Sequence, residues 1–112
     1  MAFVKINGES FPTLIAVTEE EQARGLMFRE WPPPVMAFPS KLGVRKFWMK
    51  NTYCPLDIVF CRGGKIIQIC RGEPLSTMAV GPNHPSDLVV EFPAGTMDKY
   101  GVRVGDKIAL SG

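Results

Sequence analysis

Apolar and polar positions alternate along residues 44–51, Val-Arg-Lys-Phe-Trp-Met-Lys-Asn. Successive side chains of a strand point to opposite faces, so this period predicts a strand with Phe47 and Met49 on one face and Val44, Lys46, Trp48 and Lys50 on the other. A stronger pattern follows it. Leu-Asp-Ile-Val-Phe-Cys-Arg and Lys-Ile-Ile-Gln-Ile-Cys-Arg flank Gly63-Gly64, and a two-residue glycine loop predicts a tight hairpin. Counting back from the turn pairs Arg62 with Lys65, Cys61 with Ile66, Phe60 with Ile67, Val59 with Gln68, Ile58 with Ile69 and Asp57 with Cys70. One face then holds Ile58, Phe60, Ile67 and Ile69 and reads as core; the other mixes Asp57, Val59, Cys61, Ile66, Gln68 and Cys70.

The flanking segments extend this picture. Residues 3–6 and 11–17 read as strands joined at Asn7-Gly8. Thr18-Glu19-Glu20-Glu21 is a capping box, in which the Thr18 hydroxyl takes a backbone N–H and Glu21 reaches back. It predicts a helix packing through Ala23, Leu26 and Met27 and ending within residues 27–29, with Gly25 at a close approach to a neighbouring strand. Trp31-Pro32-Pro33-Pro34 cannot continue a helix and predicts an extended connector. Further strands are expected at 35–38, 88–92 and 107–110, and a helical turn at 97–100. The Pro- and Gly-marked connection 72–85 is long enough for a functional or mobile loop. The sum is an α+β fold, mostly antiparallel β: a small barrel-like or sandwich domain of about seven short strands, one capped helix and one short helical turn.

Composition narrows the class without naming an activity. A chain of 112 residues has room for one core, so residues 1–112 are read as a single domain, and 46% hydrophobic with 21% charged residues leaves no segment that reads as disordered. No apolar run approaches the roughly 20 residues of a membrane span. The N-terminus lacks the basic-then-apolar order of a signal peptide, from which a cytoplasmic location is expected. Cys54, Cys61 and Cys70 are odd in number and without C-x-x-C spacing, and His84 is the only histidine. Reduced, mostly buried thiols are expected, with no metal and no cofactor.

Charge is unevenly placed. Residues 1–40 carry three basic and five acidic side chains, a net −2, whereas residues 41–71 carry seven basic and one acidic, a net +6. A solvated strand face accounts for such a run; interleaved with Phe47, Trp48, Tyr53 and Phe60, it also leaves single-stranded nucleic acid as a disfavoured alternative partner.

Polar candidates gather around the same stretch. Trp48 either covers a small second core under the stems of Lys46 and Lys50 or offers a flat face to a ligand. Asp57 either accepts backbone N–H groups near the turn at 51–55 or pairs with Lys50 at a pocket edge. Glu91 interrupts an apolar run and faces either the side of Asp57 or water. The first functional reading is a binding module in which Arg29, Lys50 and Asn51 donate, Trp48 stacks and Asp57 orients a small anionic or sugar-like ligand. It expects Lys50 and Asp57, both partly exposed, in one concavity walled by Trp48. The alternatives are a metal-independent enzyme with Asp57 or Glu91 as general base, a nucleic-acid binder, and a purely structural polar network. No feature sets an oligomeric state.

The chain resembles the domain of unknown function 192 family. The resemblance is carried by Ala16-Val17-Thr18, Gly25-Leu26-Met27-Phe28-Arg29, Phe47-Trp48-Met49-Lys50-Asn51-Thr52, Pro55-Leu56-Asp57-Ile58-Val59-Phe60, Val90-Glu91-Phe92-Pro93-Ala94-Gly95 and Gly105-Asp106. This microbial family has no established biochemical activity. Membership implies one domain over nearly the whole chain and the same site candidates, and adds no reaction.

Overall fold

The computed structural model describes residues 1–112. Seven strands, β1 (Ala2–Ile6), β2 (Glu9–Ile15), β3 (Val35–Gly43), β4 (Leu56–Arg62), β5 (Lys65–Gly72), β6 (Ser86–Pro93) and β7 (Ile108–Ser111), form one sheet in the order β5-β4-β6-β3-β2-β1-β7. Every pairing is antiparallel except β2 with β3. That pair is parallel because the chain returns through helix α1 (Glu19–Arg24) and the proline-rich connector, as a parallel crossover requires. The two end strands approach each other: Ile108 N donates to Gly64 O at 2.9 Å and Ile66 N to Asp106 O at 3.0 Å. The sheet is therefore curled into a half-barrel, with the short helix α2 (Thr96–Lys99) after β6.

Curling gives the sheet two buried sides. Inside the curl, Val4, Ile6, Ala37, Val59, Cys61, Ile66, Val90 and Phe92 pack with Met97 of α2. Outside it, Met36, Phe38, Ile58, Phe60 and Val89 are covered by Leu26, Met49 and Cys54. Strand β4 lies between β5 and β6 and is buried at every position from Leu56 to Cys61. Burial on both faces explains its nearly continuous apolar run.

Double burial also explains where the expected hairpin register fails. Arg62 pairs with Lys65 and Cys61 with Ile66 as counted, but a bulge then sets Phe60 opposite Gln68, Val59 opposite Ile69, Ile58 opposite Cys70 and Asp57 opposite Arg71. Ile67 is the extra residue and joins the outer core, while Ile69 turns to the inner one. With no solvated face on β4, the apolar pattern cannot penalise a one-residue slip.

Residues 44–51 are not a strand of this sheet. Their alternation is real, with Met49 buried and Lys46, Trp48 and Lys50 outward, but the partner is the 72–85 connection. Phe47 and Val80 exchange both backbone bonds, at 2.9 and 2.7 Å, and Met49 N donates to Ser76 O at 2.9 Å. The long connection is thereby tied down along the outer layer.

Helix α1 is capped as expected. Glu21 N donates to Thr18 Oγ1 at 3.0 Å, and Thr18 N donates to Glu21 Oε1 at 2.9 Å. It ends earlier than its pattern suggests, at Gly25 with φ +50°, and Ala23 is exposed; Leu26 is buried only in the following turn. Because no residue of the helix is buried, the cap carries much of its stability. Thr18→Ala is expected to lower stability by about 1 kcal/mol, read as a shift of the denaturation midpoint without a change in slope.

Candidate functional site

The register of β6 decides which of its side chains leave the inner core. Val90 and Phe92 point into the curl, so Val89 and Glu91 point outward. Glu91 stands opposite Met36 of β3 and Ile58 of β4, apolar neighbours on both sides. It is 4% exposed, and none of its carboxyl oxygens makes a hydrogen bond or ion pair with the protein. Burial among apolar groups disfavours the charged form and raises the Glu91 carboxyl to about 8, so that the acid is neutral at pH 7.

This carboxyl lies in the floor of a cleft of about 400 Å³. One wall is Gln22 to Met27; the other is Val44 to Trp48, with Phe38 and Thr52 below. Gly25 turns the first wall at φ +50°, a backbone conformation that favours glycine. A Cβ built on it would lie 3.5 Å from the Phe38 ring and 3.8 Å from Glu91 Oε1, the close approach to a strand that a glycine in this position suggests. Gln22 fastens α1 to the sheet by donating from Nε2 to Ala16 O and Pro39 O, at 3.0 and 3.1 Å. Arg45 fastens the opposite wall, donating to Phe38 O and, at 3.1 Å, to Gln22 Oε1, with its guanidinium 5.2 Å from the Phe47 ring centre.

The cleft rim is basic and aromatic. Trp48 is 48% exposed, and Lys50 Nζ sits 5.3 Å from its ring centre. Lys46 donates to Gly81 O and, at 2.9 Å, to Asn83 Oδ1. Arg24 is solvated and paired with Glu20 across one helical turn at 3.2 Å, a contact that a ligand could displace at little cost. None of these cations lies within ion-pair distance of Glu91, which is why burial alone governs its proton.

The family model for DUF192, described as an uncharacterized ACR, matches residues 2–110. The chain belongs to this family. Two solved structures share the fold of this DUF192 domain. A protein of unknown function from Novosphingobium aromaticivorans is 30% identical over 96% of this chain and 82% of its own, with a TM-score of 0.85. A protein from Sinorhizobium meliloti, provisionally named a transcription regulator, is 29% identical over 96% of this chain and 90% of its own, with a TM-score of 0.87. No curated protein matches the chain.

Within this DUF192 domain the five residues singled out from sequence are dispersed. Trp48 walls the Glu91 cleft, and Lys50 lies over its ring. Asn51 takes a left-handed turn conformation, φ +55°, and its carbonyl accepts from Phe28 N at 2.9 Å. Arg29 lies in a neighbouring groove that shares Arg24 and Gly25 with the cleft, while its carbonyl accepts from the Cys54 thiol at 3.3 Å. Asp57 is elsewhere. It is buried on the inner face opposite Phe92, where Oδ2 accepts from Met97 N at 3.0 Å and Oδ1 lies 3.6 Å from Arg71 Nε.

The expected concavity uniting Lys50 with Asp57 is therefore not formed. Alternation along β4 sends Asp57 into the curl, whereas Lys50 stays on the outer layer. Glu91 does not share the side of Asp57 either, since adjacent ladder positions place the two carboxyls on opposite faces; it is buried at the floor of the cleft. The residues of the cleft that the sequence left unnoticed are Arg45 and Gln22, which fasten its walls; Glu91 was visible only as a candidate general base and Gly25 only as a close approach, neither as part of a binding site. Glu91 left its signal as a carboxyl inside an apolar run and Gly25 as a glycine inside a helical pattern, whereas Arg45 and Gln22 left none.

The thiols hold apart from this site: Cys54 and Cys61 are buried, Cys70 half-buried, and all are free. Burial pushes the Cys61 thiol up to about 12, which leaves it inert as a nucleophile at neutral pH. No helix is long and apolar enough to cross a membrane.

Proposed function

We propose that this DUF192 domain is a small-ligand binding module whose site is the Glu91 cleft, and that it takes a small anionic, sugar-like ligand. The observation that carries this reading is the Glu91 carboxyl, buried without a protein partner at the floor of an open cleft. A fold that only needed to be stable gains nothing from such a group, because a buried polar side chain left unpaired costs free energy that an apolar residue would spare. The half-exposed Trp48 ring offers the flat apolar contact that suits the face of a sugar ring, and Arg24 and Lys46 at the rim suit a carboxylate or phosphate. Lys50 and Asn51 border this wall, and Arg29 the adjoining groove; Asp57 serves the fold.

Calorimetric titration with gluconate, glucuronate and glucose 6-phosphate tests it. Saturable binding of at least one probe is expected, weakened about tenfold by Trp48→Ala, the loss of roughly 1–1.5 kcal/mol that one ring contact supplies. Trp48 is exposed enough that the variant keeps its fold. Binding by none of the probes, or binding indifferent to Trp48, contradicts the reading.

A second reading, a metal-independent enzyme with Glu91 as general acid or base, is favoured by one property: a carboxyl brought to about 8 is poised for proton transfer near neutral pH. Turnover of a bound probe abolished by Glu91→Gln would select it over simple binding.

A further inference from the structure

Deepening the binding reading, on which it rests, we propose that Glu91 meets the ligand as a neutral carboxylic acid, its O–H donating to one ligand oxygen and its carbonyl oxygen accepting from a neighbouring ligand hydroxyl. The cleft then selects ligands that carry an acceptor and a donor on adjacent atoms, the pattern of a vicinal diol or an α-hydroxy acid.

The geometry supports this in three ways. The carboxyl has both oxygens free of protein partners, so its one donor and its acceptor sites are available together. Its surroundings disfavour the anion: Met36 on β3 and Ile58 on β4 flank it in the sheet, Gly25 and the Phe38 ring border it in the cleft, and no protein group donates to it. The charged groups of the cleft are Arg24 from α1 and Arg45 and Lys46 from the opposite wall, and each is engaged away from Glu91, on Glu20, on Phe38 O with Gln22, and on Gly81 O with Asn83. Asp57, the nearest carboxylate in the ladder, faces the other layer. The rise of the Glu91 carboxyl to about 8 agrees with this arrangement.

An anionic ligand reinforces the assignment. An ionised Glu91 would repel a carboxylate or phosphate in the cleft, whereas the acid can donate to it, a charge-assisted hydrogen bond about twice as strong as a neutral one. Basic residues at the rim and an acid at the floor can therefore hold the same ligand anion, with the acid also reading the hydroxyl beside it.

Gluconate is the probe, because it is an α-hydroxy acid with vicinal hydroxyls whose own carboxylate stays ionised through the range examined; butyrate, with the same charge and no hydroxyls, is the control. Gluconate affinity of the wild type is expected to be flat between pH 6 and 7.5 and to fall above pH 8 toward about tenfold per pH unit, as for any ligand that binds only the protonated form. Glu91→Gln, whose amide keeps one donor and one acceptor, is expected to bind within about threefold of wild type with no pH dependence, and Glu91→Ala at least about tenfold more weakly. Butyrate is expected to bind at least about tenfold more weakly than gluconate.

Affinity that rises with pH, or Glu91→Gln as weak as Glu91→Ala, overturns the neutral-acid assignment while leaving the binding reading intact. No binding of gluconate by the wild type overturns the assignment, and if glucuronate and glucose 6-phosphate fail to bind as well the binding reading falls with it. Carbon-13 NMR of the Glu91 carboxyl in the unliganded protein decides the protonation state independently: a resonance that stays that of the acid at pH 7 supports the assignment, and titration in the ordinary carboxylate range overturns it.

Discussion

Glu91→Gln is expected to be more stable than the wild type at pH 8 and to lose that advantage as the pH falls toward 4. Folding raises the Glu91 carboxyl from its ordinary 4.5 to about 8 by desolvation. Below pH 4.5 the group is protonated in folded and unfolded chains alike, so it adds no pH dependence. Between 4.5 and 8 the unfolded chain has released a proton that the folded chain still holds. Wild-type stability then falls as the pH rises, by about 1.4 kcal/mol per unit and roughly 3–5 kcal/mol across the interval. Above 8 the folded carboxyl is ionised as well and the curve flattens. Glutamine has nothing to titrate, so its stability lacks this slope, although at pH 4 it gains nothing over the acid it mimics. Denaturant midpoints of the two proteins at pH 4, 6 and 8 measure the effect. A difference between them that does not change with pH would mean that the carboxyl is solvated or paired.

Asp57→Ala is expected to lose about 2–4 kcal/mol, because Asp57 has the opposite situation: buried, but with its partners in place. Its carboxylate satisfies the Met97 N–H in the first turn of α2 at 3.0 Å and lies 3.6 Å from Arg71 on the neighbouring strand. Removing it orphans a buried N–H and detaches α2 from β4. Asp57→Asn keeps an acceptor for Met97 N and is expected to lose less, about 1 kcal/mol. Arg71→Ala should cost less than about 1 kcal/mol, since that guanidinium is half in water. Chemical denaturation of the three variants separates these effects. An Asp57→Ala protein as stable as wild type would show that the carboxylate is held for something other than the fold.

What could be read from the chain before its structure follows from what local patterns encode. Two-residue glycine and Asn-Gly turns constrain their own neighbours, so both hairpins are legible, and with the second its first ladder pairs, whereas β2 begins at Glu9, two residues before the expected strand. The capping box at Thr18 and Glu21 is likewise complete within four residues. The bulge at Ile67 is not, because it is selected by covering both faces of β4, a tertiary circumstance absent from a strand's own pattern. The same cause hid the site. Asp57 and Glu91 both look like carboxyls breaking apolar runs, and which one reaches the outer cleft depends on the β4–β6 register, where Asp57 pairs with Phe92 and Ile58 with Glu91. Trp48 was legible as an outward aromatic from its alternation, but the partner that carries its segment, the 72–85 connection, lies some thirty residues away in the chain and announces no strand of its own.

The cleft itself is assembled from non-local parts. Gly25 contributes a turn at φ +50°, Arg45 a hydrogen bond to Phe38 O, and Gln22 two bonds to the carbonyls of Ala16 and Pro39. Arg45 and Gln22 look ordinary in sequence and Gly25 marks only a close approach; their convergence on the outer face of β3 and β6 makes a floor and two walls.

The most direct test of that convergence is a nitrogen-15 and carbon-13 NMR titration of the wild-type protein with gluconate. The Glu91 cleft predicts saturable shifts at the Trp48 indole, the Gly25 and Arg45 amides and the Glu91 carboxyl, with residues of the inner layer such as Asp57 and Met97 unmoved. Shifts confined to other surfaces, or none at concentrations that saturate a millimolar site, would contradict it.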